Sequence, residues 1–530
     1  MKRFLIHIVF SMCCIFTAIT VYAQQSADDL YKYHNYKEAA KKFITQAAQN
    51  KTNPDWNFKV GKCYLEMNGE KKKAIPYFEA AIQNNYKDNE VVKLLGRAFH
   101  YDYQFDKAIE QYNKYLLKPK KGEKEVVLRL IEMCNNGKEL MKNPLDVTFT
   151  HLGKEINSEY PDYYPFLPFD ESYLLYTTRR VGGIKDADGL YTSDIYISEV
   201  KNGIWTKGKT VGSSINTKED EQCVGLTSDG SRMIVYVEHE KVFGDIYLST
   251  INKKRQFAIA DPLPLPINST ALESAASINI EGNVIVFASD RPGGYGGTDI
   301  YMSRMLPDSA WSEPQNMGPS INTIYEEDFP QFSEDEKTLY FSSQGHNSMG
   351  DFDIFKSTYD DKKAKWQTPQ NIGYPVNTTA DDMHYAVNKT EREAYISTIR
   401  EGGFGDYDIW KIIFNTAEAK LTFIKGTVYV NDTLTYATDD IELKIINKAT
   451  GEIVHKDAFV YKAAKKKFNL ALEAGTYIIS AEPLGYQKAE KEFTVMDKVD
   501  FQQVLFLPLM LKKTGSVAPA KNTKPTKPKS

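Results

Sequence analysis

The sequence predicts a multidomain chain: all-α at first, then all-β in a long repeating segment, then all-β in a short one. Three observations carry this prediction. A helical pattern recurs about every 34 residues between 26 and 142. An Asp-Ile-Tyr-like triplet recurs five times between 145 and 415. Strand-length alternation without that repeat fills 420–512.

Length and charge agree with a division into domains. At 530 residues the chain is too long for one ordinary core. Thirty-four tyrosines against 5 tryptophans favour strand-rich structure. Residues 143–418 hold 24 basic and 42 acidic side chains, net −18. Residues 26–140 hold 21 and 16, net +5, and residues 419–530 hold 18 and 12, net +6. An acidic middle of this size argues against a nucleic-acid partner.

The start reads as a secretory signal over residues 1–23. Lys2 and Arg3 form a charged region, Phe4 to Thr20 is apolar, and Val21-Tyr22-Ala23 resembles a cleavage site. The apolar run is short for a membrane span. Neither Cys13 nor Cys14 follows the small-residue pattern of a lipidation site. The mature chain would keep Cys63, Cys134 and Cys223, an odd number in separate segments, which predicts buried free thiols.

In residues 26–142, Ala39, Ala74 and Ala108 stand 35 and 34 apart. Phe43, Phe78 and Tyr112 each follow by four. Gly61 and Gly96 are also 35 apart, followed by Tyr64 and Phe99. Small and aromatic residues at these offsets let two helices pack closely in each unit, the tetratricopeptide pattern. Two full units are expected, with a shorter one before them and a capping helix near Glu123–Met141.

In residues 145–415 the triplets are Asp194-Ile195-Tyr196, Asp245-Ile246-Tyr247, Asp299-Ile300-Tyr301, Asp353-Ile354-Phe355 and Asp408-Ile409-Trp410, spaced 51, 54, 54 and 55. A strand such as NVIVFASD precedes each. Trp205, Trp311 and Trp366 mark a strand after three of them. Each of the first four repeats then reaches an Ile-Asn-Thr-like turn, at Asn216, Asn268, Asn322 and Asn377. Four short strands in about 54 residues is the arithmetic of a propeller blade. The fifth repeat lacks its closing strand, and an orphan one, VTFTHLGKEINS (147–158), stands before the first. The N-terminal strand should therefore complete the last blade. Five blades follow, with six left open if a degenerate repeat is hidden. Residues 420–512 read as a small antiparallel, transthyretin- or Ig-like sandwich with turns at Thr450-Gly451 and Ala474-Gly475. Residues 513–530 form a Lys/Pro tail of disordered composition.

The motifs carry little catalytic chemistry. No Gly-x-Ser-x-Gly elbow and no His-Glu-x-x-His occur, and the histidines are scattered without ligand spacing. Asp186-Ala187-Asp188-Gly189 begins like a calcium loop, but Ile195 stands where the loop needs Glu. Asp351/Asp353 and Asp406/Asp408 pair carboxylates two apart, as a cation site or an acid–base pair would. The second of each pair recurs in every repeat, which favours capping of turn amides. The glycine-rich stretch GGYGGTDIYMS (293–303) precedes a strand and not a helix, so it reads as a hairpin rather than a phosphate loop. Arg291, Tyr295 and Phe404 are the binding candidates on the loop face. No metal site, cofactor or catalytic residue is expected.

With the modules in this order, the chain resembles the PorE-like periplasmic proteins of Bacteroidetes. The 34-residue units resemble tetratricopeptide repeats. The triplet repeats resemble the WD40-like repeats of the TolB propeller group. The segment from Lys425 resembles a carboxypeptidase regulatory-like domain. The resemblance implies a periplasmic protein, with outer-membrane association left open, linked to type IX secretion or gliding. Those proteins usually end in an OmpA-like domain, and no such pattern follows the third segment here, so peptidoglycan binding stays open. The expected role is a non-enzymatic scaffold that binds envelope proteins through the repeat groove and the propeller, an outer-membrane β-barrel among them. A wall-polymer or glycan sensor is the alternative, and an unrecognised hydrolase ranks third.

Overall fold

A computed structural model describes residues 25–168, 170–201, 204–239, 242–333, 336–388, 391–415, 422–430, 434–454, 459–496 and 504–514. The signal segment and the tail from residue 515 lie outside the described residues. Two compact units result, one up to Ala417 and one from Glu418.

The first unit begins with helices α1 (Ala27–Lys32), α2 (Tyr36–Gln49), α3 (Pro54–Glu66), α4 (Ala74–Gln83), α5 (Glu90–Tyr101), α6 (Phe105–Leu116) and α7 (Lys124–Leu140). Their starts are set locally. Ser26 and Asp29 form a capping box, and Asn53 caps α3 with Pro54 in its first turn. The small–aromatic register has a steric cause. A Cβ on Gly61 would lie 2.5 Å from the Phe78 ring, and one on Gly96 would lie 2.6 Å from the Tyr112 ring. Glycine at these positions lets consecutive helices meet through a buried aromatic ring. No described helix is long and apolar enough to cross a membrane.

Five antiparallel sheets follow, the first four each built from consecutive chain segments. Their three longer strands are β2 (Asp162–Phe166), β3 (Tyr173–Thr178) and β4 (Asp194–Lys201) in the first; β7 (Asp220–Leu226), β8 (Arg232–His239) and β9 (Val242–Thr250) in the second; and β11 (Glu273–Ile278), β12 (Val284–Ser289) and β13 (Asp299–Arg304) in the third. The fourth has β15 (Glu327–Phe332), β16 (Thr338–Ser343) and β17 (Asp353–Asp360), and the fifth β20 (Met383–Val387), β21 (Glu393–Thr398) and β22 (Asp408–Phe414). The leading strands β2, β7, β11, β15 and β20 neighbour one another in cyclic order, which closes a ring of propeller type. The tryptophans at 205 and 366 sit in two-residue flaps, and a separate outermost strand follows each flap.

The seam of the ring is the N-terminal strand β1 (Val147–His151). It pairs antiparallel with β22, from Val147↔Phe414 to His151↔Trp410. An asparagine clamp recurs at each sheet. Asn216, Asn268, Asn322 and Asn377 each accept from, and donate back to, the backbone of the triplet isoleucine at Ile195, Ile246, Ile300 and Ile354. At the seam Asn157 does the same for Ile409, at 2.8 and 3.0 Å.

The second unit holds two four-stranded sheets over one core that includes Ile424, Val428, Leu443, Ile445, Ile479 and Leu509. One sheet centres on β23 (Thr422–Val430) and the other on β25 (Ile441–Asn447) and β28 (Gly475–Ala481). The expectation of a purely antiparallel unit is corrected here. β30 (Val504–Leu511) runs parallel to β23, from Phe423↔Val504 to Val430↔Leu511. β30 follows β29 (Ala489–Val495), which belongs to the other sheet, so the chain crosses between sheets instead of turning in a hairpin.

Candidate functional site

The hairpins joining the second and third strands of each sheet form one face of the ring. At 293–299 the loop amides face the protein's own carboxylate. The Tyr295 and Gly296 N–H groups donate to Asp299, which also accepts from Asn316 at 2.8 Å. Asp353 receives Met349 and Gly350 N–H and Asn371 in the same way, and Asp408 receives Phe404 N–H. The capping carboxylate already fills the place a phosphate would take.

Of the three sequence candidates, Arg291 is spent internally. Its guanidinium pairs with Glu273 at 2.9 Å, donates to the carbonyls of Pro266 and Ile267, and lies over Phe287 and Tyr301. Tyr295 and Phe404 are about half exposed, at 49% and 50%. Phe404 meets His151 edge-on, with centroids 4.6 Å apart. The calcium-like carboxylates Asp186 and Asp188 are both paired with Arg179. No cluster of metal-ligating side chains occurs among the described residues.

The two carboxylate pairs split their duties. Asp353 and Asp408 cap their loops, while Asp351 and Asp406 reach the helices. Tyr101 donates to Asp351 at 2.6 Å and Arg97 at 3.2 Å, and Asn68 donates to Asp406 at 3.1 Å. The helices therefore sit on the loop face of the fourth and fifth sheets. The densest contact is Arg129 on α7, which is buried. It donates to the carbonyls of Gln344, Gly345 and His346 at 2.7, 2.8 and 3.1 Å and to Ser348 Oγ at 2.8 Å. His100 meets the Met349 carbonyl at 2.9 Å, and the Met349 side chain joins the helical core.

Beneath the helices a cavity of about 260 Å³ is lined by residues that include Asn68, Tyr163, Tyr164, Arg179, Asp406 and Tyr407. Next to it the ring axis is plugged. Tyr164, Phe329 and His384 stack with centroids 3.7–5.2 Å apart. All three sit at bulges in the leading strands with positive φ, at 57°, 51° and 59°. The bulge turns each ring toward the axis. Burial holds His384 well below its usual pKa, so it is neutral.

Beside this plug, burial pushes Asp328 up to about 6. It accepts from Ser274 Oγ and Phe329 N–H. The raised value fixes the sign of a pH effect. Asp328 favours the folded state while protonated, and that contribution is lost as pH rises from about 4 to about 6. Asp328→Asn keeps an oxygen for both donors and carries no charge. Its melting temperature is expected to match wild type near pH 4 and to exceed it near pH 7.5, by up to about 3 kcal/mol in stability. Parallel melting curves for the two proteins across that range would refute it.

Sequence reasoning missed the acid that follows each clamp asparagine by five. Asp162, Glu221, Glu273, Glu327 and Asp382 each accept the N–H of the Ser or Thr four residues before them. The signal was present as Asn-Ser/Thr-x-x-x-Asp/Glu in all five repeats. Arg129 had no local signal, since its acceptors lie more than 200 residues away.

No family model matches the chain, and neither does any curated protein. Among solved structures it is similar to TolB from Acinetobacter baumannii at 14% identity, over 49% of this chain and 56% of that one, with a TM-score of 0.29. The chain thus spans little more than half of that protein. A glycoside hydrolase is similar at 9% identity, over 52% and 94%, with a TM-score of 0.36. Trypanosoma rangeli sialidase is similar at 8% identity, over 67% and 90%, with a TM-score of 0.29.

Proposed function

We propose that this chain is a non-enzymatic scaffold of the periplasm that binds envelope proteins. In this reading the helix pairs are tetratricopeptide repeats and the ring is a five-bladed TolB-type propeller. The second unit is a regulatory-like sandwich. The supporting observation is the use made of the ring's carboxylates. The two pairs that could have served as acid and base are divided between loop caps and helix anchors, so neither pair faces a common substrate position. The half-exposed Tyr295 and Phe404 stand on loops of the same face and are the contact candidates. A tie to type IX secretion or gliding, and an outer-membrane β-barrel as partner, rest on the family resemblance alone.

The test is crosslinking of the full chain in intact envelopes. A discrete envelope protein should be captured, and capture should fall at least tenfold for Tyr295→Ala with Phe404→Ala. If the chain crosslinks to glycan strands through the same two residues, the sensor reading replaces this one. Hydrolysis of a glycoside or peptide panel that disappears with Asp353→Asn would overturn both.

A further inference from the structure

The cavity under the helices takes no part in the scaffold reading, and its walls have a chemistry of their own. Three tyrosines, Tyr163, Tyr164 and Tyr407, contribute ring surface. Asp406 contributes a carboxylate that accepts from Asn68, with the Lys71 ammonium acting on it electrostatically rather than as a hydrogen-bonded partner. Two of the polar groups that could read sugar hydroxyls are already committed. Arg179 gives Nε to the Tyr191 carbonyl, Nη1 to Asp188 and Nη2 to Asp186. The Asn68 amide is spent on Asp406. Beside Ser397 and the tyrosine hydroxyls, the walls offer a ligand a carboxylate and aromatic rings, two features that attract a weakly hydrated organic cation. The net −18 of residues 143–418 adds a long-range field of the same sign. The volume suits a ligand of a few heavy atoms rather than a folded partner.

We propose that this cavity binds a small organic ammonium ion, with the Asp406 carboxylate as counter-ion and Tyr163, Tyr164 and Tyr407 as its aromatic walls. The helices form part of the site, because Asn68 lies between α3 and α4 and orients Asp406. Occupancy would therefore be read by both the ring and the helices. The proposal is independent of the scaffold reading, since it uses neither Tyr295 nor Phe404.

The experiment is isothermal titration of the full chain with choline, and separately with N-acetylglucosamine as a neutral probe. Choline should bind saturably, and the sugar should not. Asp406→Asn keeps the oxygen that accepts from Asn68 and removes only the charge, so it should weaken choline at least tenfold while the melting temperature holds. Tyr407→Leu should weaken it as well. Asn68→Ala should weaken choline as well, because Asp406 then loses the amide that orients it, while Arg129 and Tyr101 still hold the helices on the ring. The proposal is overturned if choline does not saturate, if Asp406→Asn binds it as wild type does, or if the sugar binds and Asp406→Asn leaves that unchanged.

Discussion

Arg129→Ala is expected to be the most destabilising single substitution on the helical segment, costing on the order of 3–5 kcal/mol. The side chain is buried and fills several roles at once. Its guanidinium donates to three consecutive carbonyls, Gln344 to His346, and to Ser348 Oγ, pairs with Glu132 at 2.9 Å, and lies 4.7 Å from the Tyr325 ring centroid. Alanine would leave those carbonyls facing a void, and an orphaned buried acceptor costs more than the bond it lost had contributed. Lysine should not rescue it, because one ammonium cannot reproduce the planar fork that spans several acceptors. Hydrogen exchange gives the local readout. Protection should fall first in α5, in α7 and in residues 344–351, while the clamp at Asn322 keeps its own. A loss under about 0.5 kcal/mol, as for an ordinary surface change, would show that the helices do not depend on this anchor.

The contrast between what was legible and what was not follows the range of the interactions. The helical register was legible because its cause is local: Gly61 and Phe78 are 17 residues apart and recur as Gly96 and Tyr112. The seam was legible for a different reason. Each of the first four repeats supplies its own closing strand, so one missing strand and one orphan could be matched by count. The split of the carboxylate pairs was only half legible. Recurrence marked Asp353 and Asp408 as structural, but nothing near Asp351 or Asp406 names Tyr101 or Asn68 as a partner, 250 and 338 residues away. Arg291 shows the converse error. An arginine in a loop reads as a recognition residue, yet Glu273, 18 positions earlier, holds it inward. Parallel pairing of β30 was illegible too, since an alternating strand looks the same in either direction.

Asn157→Ala should open the ring at one place. Asn157 is 3% exposed, and both of its amide atoms bond the backbone of Ile409. Removing it orphans one buried N–H and one buried C=O, about 2–4 kcal/mol together. Asn322→Ala removes the same two bonds from Ile300 and should cost about as much by equilibrium unfolding. The two differ in what remains to hold the broken clamp. Asn322 and Ile300 are 22 residues apart within one continuous sheet, so the strands around them stay tethered. Asn157 and Ile409 are 252 apart, and the first strand is held non-covalently, by the five register pairs of β1 with β22 and a few flanking bonds such as Leu152 N–H to the Ile409 carbonyl. Asn157→Ala should therefore lose amide protection along β1 and β22 before the ring melts, a sub-global opening. Asn322→Ala should lose protection only when the whole unit unfolds. Equal exchange patterns in the two variants would mean that the seam is no weaker than any other contact in the ring, and that closure does not depend on this asparagine.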